Sequence, residues 1–262
     1  SCLKIMSSTV SPIPITLRIV DELMIIDFFK PILRMQRYKK YGHLFSFLCN
    51  FAGKSTYSVI TMNEQTITLP NGLRVILIPT DSPVVYCGYQ LKAGSRHEHN
   101  NEEGLAHFCE HTTFKGTHHR KAWQILNSLE SVGGSLNAYT NKEDTTYYAS
   151  VLSEYAQRAI DLLTDIVFHS TYPQREIDKE VEVICDEIES YNDSPSELIY
   201  DDFENLLFKG HPLGHNILGT ASRVRQFTTA DALRFTRQYY RPDDAVFFCT
   251  YRPKDRLSPE RI

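Results

Sequence analysis

No stretch of this 262-residue chain is apolar for long enough to cross a bilayer. A spanning helix needs about 20 apolar residues, and the best run, residues 44–51, stops well short. Cysteine is scattered. The six lie at positions 2, 49, 87, 109, 185 and 249. No C-x-x-C pair occurs, so the usual cysteine zinc sites are excluded and nothing suggests a disulfide framework. Cys109 and Cys185 fall inside expected helices, where reduced thiols are the simpler state; the expected compartment is therefore a reducing one, the cytoplasm. A basic excess is missing too. The net charge of −4 argues against nucleic acid as the main partner. No internal repeat is evident. What is there, an apolar content of 42%, suits a chain long enough to bury a sizeable core.

The most informative stretch that is present is His107-Phe108-Cys109-Glu110-His111. On a helix, residues four apart share a face, so both imidazoles project the same way. That spacing suits two nitrogens gripping one Zn²⁺. Glu110 precedes the second His and is placed to take a proton from a water at such an ion. The order H-x-x-E-H inverts the commoner zinc-protease order H-E-x-x-H. Gly104-Leu105-Ala106 leads in, with Asn101-Glu102-Glu103 before it as the expected cap and acidic first turn. Leu105, Phe108 and Cys109 are expected to hold the helix against a core. The bland alternative is two surface histidines on an amphipathic helix.

A catalytic zinc wants a third protein ligand and one open position. Residues 173–191 supply candidates. Pro173 suits a helix start, and Ile177, Val181, Ile184 and Ile188 recur at helical spacing as a buried stripe. Glu180 and Glu187 stand two turns apart and share a face beside that stripe, whereas Glu176, Asp178, Glu182 and Asp186 suit a solvated face. Geometry alone does not choose between Glu180 and Glu187.

The run from Gly104 to His111, followed by Phe114-Lys115-Gly116-Thr117, resembles the pitrilysin/insulinase family of zinc peptidases, in particular its shorter, processing-peptidase-like members. Residues 134–140 with Thr145-Thr146-Tyr147-Tyr148 are similar to that family's substrate-binding edge strand and its partner. His211-Pro212-Leu213-Gly214, running to Gly219-Thr220, is similar to a further landmark. The resemblance covers about residues 64–250. It implies that Glu187, 76 residues after His111, is the third ligand and that Glu180 is a supporting carboxylate. It implies a zinc metalloendopeptidase with one Zn²⁺ per chain, Glu110 as base, and an extended peptide substrate pairing along Asn137, Ala138 and Tyr139. It also implies a second domain of similar fold, or a partner subunit, that closes over the substrate. After residues 246–248 the chain departs from the family pattern and stops at Ile262, so this is expected to be the N-terminal half, with activity dependent on the other. The alternative is a catalytically silent scaffold or binding subunit of the same fold. A non-peptidase hydrolase is a third reading, which the edge strand disfavours.

Residues 1–61 carry eight Lys and Arg against three Asp and Glu; the remainder carries 20 against 29. Met62 opens directly into an expected first strand. Residues 1–61 are therefore expected to lie outside the domain, as a foreign upstream segment, as a basic targeting segment that would send the protein to the mitochondrial matrix, or as an extension with its own role. Residues 62–252 are expected to form one α+β domain, a mostly antiparallel sheet with helices packed against it, and 253–262 a tail. Hairpins are expected at 66–78, around Asn71-Gly72, and at 136–151; a third strand at 84–91 and a last at 245–250. Helices are expected at 103–113, 122–132, 155–168, from 173, 198–207 and 229–239. Residues 96–101 read as a loop with solvated His97 and His99, and His118 and His119 read as surface residues.

Overall fold

The computed structural model describes residues 64–254, which fall within one compact unit. The expectations for residues 1–61 and for the end of the tail lie outside the described residues. The first strands, β1 (Gln65–Thr68) and β2 (Arg74–Pro79), form the expected hairpin. Its turn needs a left-handed residue, and Gly72 supplies one at φ +87°. Strand β3 (Val84–Leu91), β4 (Ser135–Thr140), β5 (Thr145–Leu152) and β6 (Ala245–Tyr251) complete one sheet in the order β1-β2-β6-β3-β5-β4. All pairings are antiparallel except β2 with β6. The last strand thus enters the middle of the sheet, between β2 and β3.

The strands alternate as a half-buried sheet should. Val85, Cys87, Tyr89 and Leu91 are buried on β3, Tyr147, Ala149 and Val151 on β5, and Phe247, Cys249 and Tyr251 on β6. Helix α1 (Leu105–Thr113), α2 (Ala122–Glu130), α3 (Ala156–His169), α4 (Gln174–Asn192), α5 (Pro195–Leu207), the short α6 (Ala221–Val224) and α7 (Thr229–Tyr239) complete the described elements with three 3-10 turns. Helix α3 packs on β3 and β5, and Phe168 meets Tyr89 edge-on at 5.2 Å. The four described cysteines are buried and none is in a disulfide. No described helix is long and apolar enough to cross a membrane.

Several boundaries differ from the sequence expectation. Helix α1 begins at Leu105 rather than 103, and its first turn contains no acidic residue. Asn101 sits at φ +72° in the preceding turn, so Asn101-Glu102-Glu103 is not the cap. Helix α2 ends at Glu130, because residues 131–133 turn towards β4. Pro173 is the N-cap of α4 rather than its first residue. Helix α5 starts earlier than 198, with Pro195 in its first turn, where a missing N–H costs nothing. Residues 96 and 97, expected as loop, belong to the 3-10 turn Ser95–His97, and His97 is half-buried against Tyr239. His99, His118 and His119 are exposed.

Candidate metal centre

Helix α1 is buried on nearly every side, as a helix packed all round should be. It contacts α4, α7 and β4, with Phe108 against Phe227 at 5.3 Å. Beneath it, the buried hydroxyls of Thr113, Tyr147, Tyr172 and Tyr240 satisfy one another at 2.9–3.1 Å. His111 is the most exposed residue of α1, half-buried where the others are buried.

The start of α1 is held by a residue from outside the helix. Glu98 Oε2 accepts the Gly104 N–H at 3.1 Å and Oε1 accepts the Ala106 N–H at 2.8 Å. Two of the helix's unpaired donors are thereby satisfied, and a negative charge meets the positive end of the dipole. His215 Nε2 hydrogen-bonds Glu98 Oε2 at 2.8 Å, and Lys142 donates to the His215 carbonyl oxygen. Gly104 itself adopts φ +96°, and a Cβ there would stand 2.6 Å from the Leu218 carbonyl oxygen. The 211–220 loop therefore lies directly on the N-terminus of α1. Sequence reading left Glu98 in a loop, since its partners are backbone groups and a histidine 117 residues away.

Helix α4 faces α1 with its buried stripe of Ile177, Val181, Ile184 and Ile188, as expected. The same face carries Glu180 and Glu187, and they reach different atoms. Glu187 Oε2 lies 3.2 Å from His111 Nε2 and 3.6 Å from His107 Nε2. Glu180 Oε1 lies 3.0 Å from His111 Nδ1, and its other oxygen lies 2.6 Å from Lys115 Nζ. Glu110 Oε2 is 4.0 Å from His107 Nε2. One ligand atom each from His107, His111 and Glu187 falls within 4.8 Å of the others.

These distances fit a zinc ion. Ligands at 2.0–2.1 Å on a tetrahedron stand about 3.3 Å apart, close to the observed 3.2 and 3.6 Å. Two imidazoles and a carboxylate suit Zn²⁺ better than Mg²⁺ or Ca²⁺, which prefer oxygen shells. Glu180 on the far nitrogen of His111 is the arrangement that fixes a ligating imidazole's tautomer. His107 Nδ1 is buried without a hydrogen-bond partner among the described residues.

The electrostatics agree. Burial pushes His107 down and so favours the neutral ring a metal needs. Burial also disfavours the charged ring of His111, but hydrogen bonds to Glu180 and Glu187 outweigh it and lift its pKa to about 9. The proton this places between His111 and Glu187 is the one a dication would replace. Burial raises the Glu110 carboxyl to about 7, against the pull of His111.

A cleft of about 640 Å³ opens over these groups. His107, Glu110, His111, Glu180 and Glu187 line it, and so do residues 136–140 of β4. The structure thus brings the predicted site residues to one cleft, including Asn137, Ala138 and Tyr139. Strand β4 is one of the two edge strands of the sheet. The Ala138 N–H is occupied by the Asn137 side chain, 2.8 Å away. The cleft also includes residues that sequence reading did not single out, among them Leu126, Tyr191 and Asp201; their contribution comes from chain crossings that no local pattern announces.

The family model described as Insulinase (Peptidase family M16) matches residues 74–221, more than half of the chain. The chain belongs to the M16 peptidase family. A protein of Rickettsia bellii, named an uncharacterized zinc protease, is 45% identical over 184 residues, which is 70% of this chain and 44% of that protein. One from Bacillus subtilis, named uncharacterized zinc protease YmxG, is 40% identical over 181 residues, 68% of this chain and 44% of that protein. The crystal structure of a protease from Helicobacter pylori superposes with a TM-score of 0.68 at 26% identity, covering 72% of this chain and 46% of that one. This M16 chain therefore spans less than half the length of the curated relatives it matches here.

Proposed function

We propose that this M16 chain is the zinc-bearing half of a metalloendopeptidase that cuts extended peptides. The observation that carries the reading is the convergence of His107, His111 and Glu187 within 4.8 Å, beside the buried Glu110, in a cleft walled by a sheet edge. His107, His111 and Glu187 hold the ion. Held by these three residues, a Zn²⁺ would supply Lewis acidity to a water and to the peptide carbonyl. Glu110 takes the proton of the attacking water and then passes it to the leaving amine. Glu180 orients His111 through Nδ1. The substrate adds as a strand beside β4, because backbone pairing binds extended chains with little demand on sequence; it displaces the Asn137 side chain from the Ala138 N–H. A second half of similar fold, in the same polypeptide or a partner subunit, closes the chamber and excludes water. The presence of Glu110 alongside a complete ligand set favours the enzyme over a silent binding subunit.

Metal analysis after dialysis tests this. The chain is expected to keep about one Zn²⁺, and to lose it in His107→Ala, His111→Ala and Glu187→Gln. Full zinc retention by Glu187→Gln would move the ligand role to Glu180 or elsewhere. A chain that keeps no zinc at all would favour the binding-subunit reading.

A further inference from the structure

His119 and His169 have no part in the centre described above, yet they meet at one carboxylate. The strap that leaves α1 returns to the C-terminal end of α3. Thr117 and Ser170 form an isolated antiparallel bridge, and the His118 N–H donates to the His169 carbonyl oxygen at 3.1 Å. The His169 carbonyl is thus held by a backbone hydrogen bond, and the His119 N–H donates to Thr117 Oγ1 at 3.0 Å. Asp165, one turn before His169 on α3, is 4% exposed. Its Oδ2 accepts from Thr117 Oγ1 at 2.8 Å and Arg120 Nη1 at 2.5 Å. Its Oδ1 hydrogen-bonds His119 Nδ1 at 2.7 Å and lies 3.8 Å from His169 Nδ1, too far for a hydrogen bond.

We propose that His119, Asp165 and His169 form a second, exchangeable binding site for a late first-row divalent cation such as Zn²⁺ or Co²⁺. One ligand atom from each lies within 4.8 Å of the others, and the two rings stand 5.6 Å apart and nearly perpendicular. Two imidazole nitrogens and one carboxylate oxygen are the donor set that these ions select and that Mg²⁺ and Ca²⁺ do not. Thr117 and Arg120 fix the carboxylate from behind, as outer partners of metal ligands do. Arg120 also pairs with Asp161, so two carboxylates face one guanidinium and the site is net negative when the histidines are neutral. The His119 and His169 side chains are 65% and 48% exposed, which opens the site to an ion from solvent and leaves its other positions to water. The strap leads out of α1 and residues 170–173 lead into α4. An ion here clasps the segments joined to the two helices that carry His107, His111 and Glu187.

A Co²⁺ titration followed by visible absorption tests the site. In the full chain carrying His107→Ala and His111→Ala, one equivalent is expected to bind. Adding His119→Ala or His169→Ala is expected to abolish that binding, whereas adding His118→Ala is expected to keep it. No binding in the parent double variant, or undiminished binding without His119 and His169, would overturn the proposal. If the double variant does not fold, the same titration on the unsubstituted chain serves. His169→Ala is then expected to bind one equivalent fewer, and equal stoichiometries would overturn it.

Discussion

Glu180 and Glu187 share one helix face, yet they meet opposite nitrogens of the same imidazole. Periodicity shows the shared face. It does not show which carboxylate reaches Nε2, because that depends on how α4 crosses α1. The pair His107 and His111 was legible for the opposite reason: both sit on one helix, where four residues set the geometry. Asp165 was not legible at all, since its partners come from the strap after α1. Burial works against its charge, but hydrogen bonds from His119, Arg120 and Thr117 outweigh it and hold its carboxyl below the usual range. A carboxyl depressed in the folded state contributes stability above its unfolded pKa and loses that contribution as pH falls through the folded one. Asp165→Asn is therefore expected to cost about 1–3 kcal/mol near neutral pH, and less as the pH is lowered towards 3. Urea unfolding with a chelator present measures this; a cost independent of pH would contradict it.

At the scale of elements, the sheet and the long helices were legible because their burial follows period 2 or 3.6. Val84–Leu91 and Thr229–Tyr239 fall where the sequence placed them. Helix starts were less legible. The N-terminus of α1 is completed by Glu98, so no residue beside the helix announces it. The insertion of β6 between β2 and β3 was likewise invisible, because pairing partners more than 150 residues apart leave no local mark. Glu98→Ala is expected to free two helix donors and strand His215, destabilising the domain by about 1–3 kcal/mol. It is also expected to weaken zinc binding, since His107 lies one residue beyond the Ala106 N–H that Glu98 holds. Chelator competition measures the affinity, and unchanged affinity alongside lowered stability would restrict Glu98 to a structural role.

At the scale of the whole molecule, the described residues present an apolar face that the described domain does not pack. On α5, Ile199, Phe203, Leu206 and Leu207 are each more than 60% exposed, a concentration unusual for a monomer surface. Sedimentation is expected to show concentration-dependent self-association of the chain. Phe203→Ser with Leu206→Ser is expected to reduce it without lowering the melting temperature; association unchanged by that pair would place the contact elsewhere. The chain spans 44% of its Bacillus and Rickettsia relatives, so a peptide-cleavage assay of the proposed function supplies the remaining part of such a relative in trans. The measurement that bears most directly on the central claim compares Glu110→Gln with the unsubstituted chain in that assembly, reading zinc content and peptide cleavage on the same samples. Glutamine keeps the shape but cannot accept the proton. Equal zinc with cleavage lower by about 10²-fold or more is the expected result. Equal zinc with near-normal cleavage would contradict the assignment of Glu110 as the base and, with it, the proposed chemistry.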